Sequence, residues 1–321
     1  MSKKISVLGC GRWGSFLSWY CVRNGHTVIN YGRENSPSYQ QLKLKGKNKW
    51  ITLDKRIMLS CDLKLAVESA EIIIISISSQ ELRGFFSEIV KHDYKDKIFV
   101  LCMKGIEVLT GKRLSEVAIE SGVDKDKVAV WLGPGHIQEF IKGKPNAMVI
   151  DSHNMNLTKQ LVDVFKSDLI RFYYGSDIIG TEIGAAAKNI MGIIAGGLDG
   201  MGLATMKGAL MSRGAREVAR LIGALGGNEL SAYGLCHLGD YETTLFSEHS
   251  HNRKFGEALV RGEKFTHLAE GVATAHATLA LAKGVGVDVP LTHAVSDIIY
   301  GASPKDIIDR MFSREIKTEF E

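Results

Sequence analysis

Residues 5–14 read I-S-V-L-G-C-G-R-W-G, an apolar strand that runs straight into a G-x-G-x-x-G turn. Gly9 suits the tight turn, Gly11 leaves room for phosphates to approach the backbone, and Gly14 lets the next helix pack on the strand. That helix would turn its positive end and its unpaired N–H groups toward a pyrophosphate. The glycine pattern alone is a weak sign, because glycine-rich turns also serve as plain connections. Its surroundings strengthen it. Helix-compatible residues fill 15–23, Asn24-Gly25 is a stop, and a second strand covers 27–31. Such a strand–helix–strand unit is expected to bind a dinucleotide.

Outward from this unit the alternation continues. Stretches 71–78 and 97–103 are β-branched runs of the kind found in parallel strands covered on both faces. Stretches 128–132 and 147–150 are shorter strands, and 63–69, 80–90, 112–121 and 155–165 read as the helices between them. Beyond about residue 180, β-branched strand runs stop and helical periods take over at 180–196, 207–225, 271–283 and 291–300. The expected fold is therefore α/β. A doubly wound parallel sheet of the Rossmann kind occupies residues 1–179, and an all-α domain occupies 180–321.

The 321 residues are 45% apolar and 24% charged, an ordinary globular balance that excludes a disordered or low-complexity chain. The net charge of +4 is small. The basic run at 43–49 lacks interleaved aromatics and reads as a solvated loop, so no nucleic-acid partner is expected. Cys10, Cys21, Cys61, Cys102 and Cys236 are scattered and include no C-x-x-C, which suits free thiols in a reducing compartment. The N-terminus passes directly into the first strand and leaves no room for a signal peptide. The most apolar stretch, 183–198, is interrupted by Lys188 and Asn189 and reads as too short to cross a bilayer. A cytoplasmic protein without membrane insertion is expected.

Several residues carry chemistry. At the end of the second strand the sequence N-Y-G-R-E puts Arg33 where a 2′-phosphate could be paired, which leans toward NADP. Glu34, one step on, could serve the ribose of NAD. Lys188 lies in I-G-A-A-A-K-N-I-M-G-I-I-A, a helix of small and apolar side chains. Desolvation there would lower its pKa toward the range useful for acid–base work, unless the lysine snorkels outward or pairs with a carboxylate. Asp240, in L-G-D-Y, is the better partner for such a lysine. Lys104 and the Gly133-Pro134-Gly135-His136 turn both follow strand ends, on the side where ligands bind in these folds. Glu248, His249 and His251 could suggest a metal, but no third cluster completes a site and none is expected.

At this point the chain resembles the bacterial NAD(P)-dependent glycerol-3-phosphate dehydrogenases over essentially its whole length. The matching stretches are G-C-G-R-W-G at 9–14, M-K-G-I-E at 103–107, G-P at 133–134, A-A-K-N-I at 186–190 and L-M-S-R-G at 210–214. They continue with L-G-D at 238–240, S-H-N-R-K-F-G at 250–256, A-E-G at 269–271 and G-V-D-V-P-L-T at 286–292. The resemblance implies hydride transfer between NAD(P)H and dihydroxyacetone phosphate to give sn-glycerol 3-phosphate, a phospholipid precursor, by a homodimer. It implies Lys188 as the proton donor and acceptor. Lys104, Gly133, Gly135, Asp240, Ser250, His251 and Asn252 would join Lys188 at the substrate. Gly9, Gly11, Arg12, Trp13, Gly14, Arg33, Lys104, Ile137, His251, Leu268 and Glu270 would touch the cofactor.

Two departures fall among these residues. The family usually has serine–arginine–asparagine where this chain has Ser250-His251-Asn252, so a bidentate fixed charge becomes a titratable ring with fewer donors. The family has a hydroxyl residue after G-P, where this chain has Gly135. They favour, as an alternative, a relative of the same fold acting on another small phosphorylated ketone or 3-hydroxy acid. A non-catalytic NAD(P)-binding sensor is a remoter alternative, because an unused buried lysine would be a standing cost to stability.

Overall fold

The computed structural model describes residues 2–316, 318 and 319. Its strands are β1 (Lys4–Leu8), β2 (Thr27–Tyr31), β3 (Ile57–Ser60), β4 (Ile72–Ile75), β5 (Ile98–Leu101), β6 (Val128–Leu132), β7 (Asn146–Ser152) and β8 (Ile170–Tyr174). They form one sheet in the order β3-β2-β1-β4-β5-β6-β7-β8. Helices accompany them: α1 (Arg12–Arg23), α2 (Pro37–Lys45), α3 (Leu63–Glu68), α4 (Leu82–Ile89), α5 (Leu114–Glu120), α6 (Ile137–Phe140) and α7 (Met155–Phe165). The chain builds outward from β1 to β3, then returns to lay β4 on the other flank of β1. The strand order thus reverses between β1 and β4, and a crevice opens at the carboxyl ends of such strands.

The central strands are as apolar as parallel strands covered on both faces must be, and all four residues of β4 are isoleucines, all buried. Two expectations are corrected at the margins. First, the sheet is not wholly parallel: β7 runs antiparallel to β6, with Val130 opposite Asp151. The connection between them holds only the single turn α6, with no crossover helix to carry the chain back to the starting edge. Second, β3 and β8 end the sheet unforeseen. Edge strands bury one face only, and the I-R-F-Y-Y of β8 alternates where a run of isoleucine would have announced it.

The basic stretch at 43–49 is also corrected, because Lys43 and Lys45 close a helix rather than lie in a loop. Ser36 accepts from the Tyr39 N–H, Pro37 opens α2, and Gly46 ends it in the left-handed conformation.

Two compact units emerge. One runs to Lys104 and resumes from Leu114 to Ile178; the other contains Gly105–Arg113 and the chain from Ile179 onward. The second is helical, with α8 (Ile178–Gly200), α9 (Lys207–Ala224), α10 (His251–Arg261), α11 (Glu270–Gly284), α12 (Pro290–Ile299) and α13 (Pro304–Phe312). Gly105–Arg113 joins it through Ile106, which packs in the helical core, and through an Arg113–Glu182 ion pair of 2.9 Å. No linear pattern of strands and helices shows that detour.

α8 corrects the reading of its own length. It has 23 residues, enough to cross a bilayer, yet it is buried almost throughout as the central helix of this unit. Its alanines and glycines admit neighbours closely. A Cβ on Gly196 would collide with the Arg253 carbonyl of α10, and one on Gly256 of α10 would collide with the Ile193 carbonyl of α8. The two helices therefore meet main chain to main chain.

Candidate active site

In the sheet-bearing unit the glycine turn has the form a pyrophosphate needs. Gly9 has φ +120°, and a Cβ there would strike the Ser76 carbonyl at the end of β4. A Cβ on Gly14 would strike the Gly9 carbonyl, so the turn is closed on that side. Gly11 differs, because a Cβ there would meet nothing within 4 Å. Gly11 is also the N-cap of α1 and offers no side chain to bond its first N–H groups. Open space in front of an uncapped helix end fits an anionic dinucleotide.

Arg12 and Trp13 leave this turn in different directions. Arg12 donates to Gln138 Oε1 at 2.8 Å, and its guanidinium lies 5.2 Å from the ring centre of Trp50. Burial draws the Arg12 pKa below its ordinary value. Trp13 packs on Phe16 at 5.0 Å. Lys104, just past β5, donates to the Gly133 carbonyl at 2.8 Å. Ile137 is buried in the core of this unit, which leaves only its main chain to meet a ligand.

Gly135 has a packing reason of its own. A Cβ there would overlap the ring of Phe140, which is buried and stacked on Phe16 at 5.1 Å. The missing hydroxyl is thus matched by an aromatic ring that fills its place.

In the helical unit Lys188 projects from α8 into a buried polar centre. Its Nζ donates to Thr244 Oγ1 at 2.8 Å and lies 3.0 Å from Asp240 Oδ2. The Asp240 side chain is wholly buried, and Thr243 Oγ1 donates to its other oxygen. A buried ammonium and a buried carboxylate each carry a large desolvation penalty, and close pairing offsets it.

His237 and Tyr241 brace this centre. His237 Nδ1 lies 2.8 Å from the Gly184 carbonyl, and Tyr241 Oη lies 2.7 Å from His237 Nε2. Because a carbonyl only accepts, Nδ1 carries the proton and Nε2 accepts from the tyrosine hydroxyl. Burial lowers the His237 pKa to about 4, so the ring is neutral beside the lysine.

Ser250, His251 and Asn252 form the start of α10 and not an extended polar loop. Ser250 Oγ caps the helix by accepting from the Arg253 N–H. Asn252 donates to Asn189 Oδ1 at 3.0 Å and accepts from the Gly271 N–H at 2.9 Å, tying α8, α10 and α11 together next to Lys188. His251 is exposed and stacks on His267 at 5.3 Å. Leu268 is exposed and Glu270 opens α11.

Four residues of these centres escaped the sequence reading: Thr244, His237, Trp50 and Glu81. Thr244 and His237 stand near Asp240 in sequence. The segment folds through a 3-10 turn and then a π-helical turn, Glu242–Phe246, and neither follows the 3.6-residue period that signals a helix face. Glu81 forms an ion pair of 2.5 Å with Arg33.

Comparison with known proteins agrees along the whole chain. The profile described as NAD-dependent glycerol-3-phosphate dehydrogenase N-terminus matches residues 4–158, and the one described as its C-terminus matches 177–309. A glycerol-3-phosphate dehydrogenase [NAD(P)+] of Pelodictyon phaeoclathratiforme is 35% identical over 332 residues, covering 98% of this chain and 99% of the relative. Its counterpart in Chlorobium phaeobacteroides is 36% identical over 335 residues, with the same coverage. Among solved structures, the glycerol-3-phosphate dehydrogenase of Coxiella burnetii superposes with a TM-score of 0.89 at 27% identity, covering 98% of this chain and 99% of that one.

Proposed function

The chain belongs to the NAD-dependent glycerol-3-phosphate dehydrogenase family, and from that premise we propose that it reduces dihydroxyacetone phosphate to sn-glycerol 3-phosphate, with Lys188 as the proton carrier. NADH or NADPH supplies the hydride when bound at the glycine turn. Gly9, Gly11 and Gly14 would hold the pyrophosphate, Arg12 and Trp13 would flank it, and Arg33 would face the adenosine end.

Lys188 meets the oxygen of the reacting carbonyl. As negative charge develops there, its ammonium stabilises the oxyanion and gives up a proton at Nζ; in the reverse direction it takes one from the hydroxyl. Asp240 and Thr244 hold Nζ in one place, so little reorganisation is needed at the moment of transfer. Lys104 adds positive charge, and Ser250, His251 and Asn252 receive the phosphate. The observation that carries this reading is the match of both family profiles across the chain; the Lys188–Asp240 pair at 3.0 Å is the carboxylate pairing weighed above and fixes where Nζ stands.

We further read the protein as a cytoplasmic homodimer that makes a phospholipid precursor, on the strength of family membership and of α8 being a buried core helix. A second reading, reduction of another small phosphorylated ketone or 3-hydroxy acid, is favoured by His251 standing where the family has arginine. Gly135 supports it less, since Phe140 accounts for that glycine.

The test follows oxidation of NADPH and NADH with dihydroxyacetone phosphate. Turnover is expected in the wild type and should fall about 10³-fold or more in Lys188→Ala, the range for loss of a positioned acid. Removing one partner of a buried pair can also unfold a protein, at about 3–5 kcal/mol. Lys188→Met with Asp240→Asn, which leaves no stranded charge, is therefore measured beside it, with melting curves for both. A folded variant that retains turnover removes Lys188 from the chemistry. A wild type that binds cofactor but leaves dihydroxyacetone phosphate unreduced moves the reading to the second substrate class.

A further inference from the structure

We propose that Glu81 sets the balance between NADPH and NADH by occupying Arg33, an inference that rests on the dinucleotide reading above. Arg33 follows the carboxyl end of β2 by two residues, where the adenosine ribose and any 2′-phosphate lie in folds of this topology. Read alone, it is a cation waiting for that phosphate. Its Nη2 lies instead 2.5 Å from Glu81 Oε2, in the 3-10 turn Ser79–Glu81 beyond β4. Beside this pair, Lys43 Nζ lies 3.9 Å from Glu34 Oε1 and 5.8 Å from the centre of the Tyr39 ring. Arg83, two residues past Glu81, is directed elsewhere and pairs with Glu120 at 3.0 Å. Two ion pairs therefore stand beside this strand end, Arg33 with Glu81 and Lys43 with Glu34.

This balance matters because the two cofactors differ there by a phosphate of nearly two negative charges. A ribose diol can settle without disturbing the Arg33–Glu81 pair. A 2′-phosphate must draw the guanidinium away from Glu81 and still tolerate that carboxylate close by, and both effects work against it. Arg33 and Glu81 keep 68% and 51% of their side-chain surface exposed, so the pair is weak and water-screened. It biases the choice without forbidding NADPH, and Arg33 without Glu81 would behave as a dedicated phosphate clamp.

Dissociation constants for NADPH, NADH and 2′,5′-ADP, measured by titration calorimetry on the full chain, test the proposal in wild type, Glu81→Gln and Glu81→Ala. Both substitutions fall at a half-exposed position in a short turn, and melting curves check that each protein is folded. Removing the carboxylate should tighten NADPH and 2′,5′-ADP about tenfold and move NADH by less than about twofold, as expected for one charge beside a phosphate. Equal changes for both cofactors, or no change in their ratio, overturn it. Failure of the wild type to bind any of the three ligands would instead overturn the dinucleotide reading, and this proposal with it.

Discussion

Beside Lys188, the proposed proton carrier, stands His237, whose charge state is settled by burial. Its pKa is about 4 in the folded protein against an ordinary 6.5, so the unfolded chain takes up a proton first as pH falls. Stability from the neutral ring is fully present above about pH 6.5 and is lost as pH drops toward 4. A shift of this size corresponds to about 3 kcal/mol. Glu217 acts in the opposite sense, because burial raises its pKa and its ionisation costs stability as pH rises. The difference between wild type and His237→Gln isolates the histidine. In urea titrations from pH 7 to 4 the wild type should lose about 3 kcal/mol that the variant does not; parallel curves would show that the ring is not held neutral. Much of this centre was legible residue by residue. A lysine in a run of alanine and isoleucine cannot stand uncompensated, and Asp240 in L-G-D-Y was its better partner. The hydroxyl of Thr244 and the ring of His237 reach the centre only through turns without a regular period, so the pattern could not place them.

Among the elements, α8 and α10 are joined most closely, and the glycines at their crossing make opposing demands. Alanine is the better helix former by about 1 kcal/mol, so Gly196→Ala should stabilise α8 considered alone. A Cβ at that position would collide with the Arg253 carbonyl, which is main chain and cannot rotate away. The collision wins, and Gly196→Ala should destabilise by about 3 kcal/mol and raise KM for the phosphate substrate more than it lowers kcat. Gly208 in α9 is exposed and a Cβ there would meet nothing within 4 Å, so Gly208→Ala should be neutral or slightly stabilising. Melting curves and initial rates for the two variants decide it, and equal effects would disprove the crossing. Elements with strong periods, such as α7, α8 and α9, could be read ahead, whereas α2 and α10 could not. α10 is polar on most of its surface, and its Ser250 cap is buried in a string of polar residues that resembles a loop.

For the molecule as a whole, the Gly9–Gly14 turn and Lys188 belong to different units, so the effects of their proposed roles should separate. NADPH at a hundred times its dissociation constant should stabilise the protein by about 2.7 kcal/mol, seen as an upward shift in thermal melting. Folded Lys188→Met with Asp240→Asn should keep that shift while losing turnover; a shift that disappears in this folded variant would show that cofactor binding does not rest on the Gly9–Gly14 turn alone. A change of composition near residue 180 was legible in the sequence. The passage of Gly105–Arg113 into the helical unit was not, because nine residues between a strand and a helix carry no sign of which core they join.

The crossing of α8 and α10 bears on how such a protein can change over time. Main chain touches main chain there, so the separation of α8 and α10 does not depend on the size of any intervening side chain. Position 251, at the exposed tip of α10, can then be exchanged without moving α8, which carries Lys188. The side chain at the start of α10 is thus uncoupled from the spacing of the two helices, and that position can drift while the crossing stays fixed.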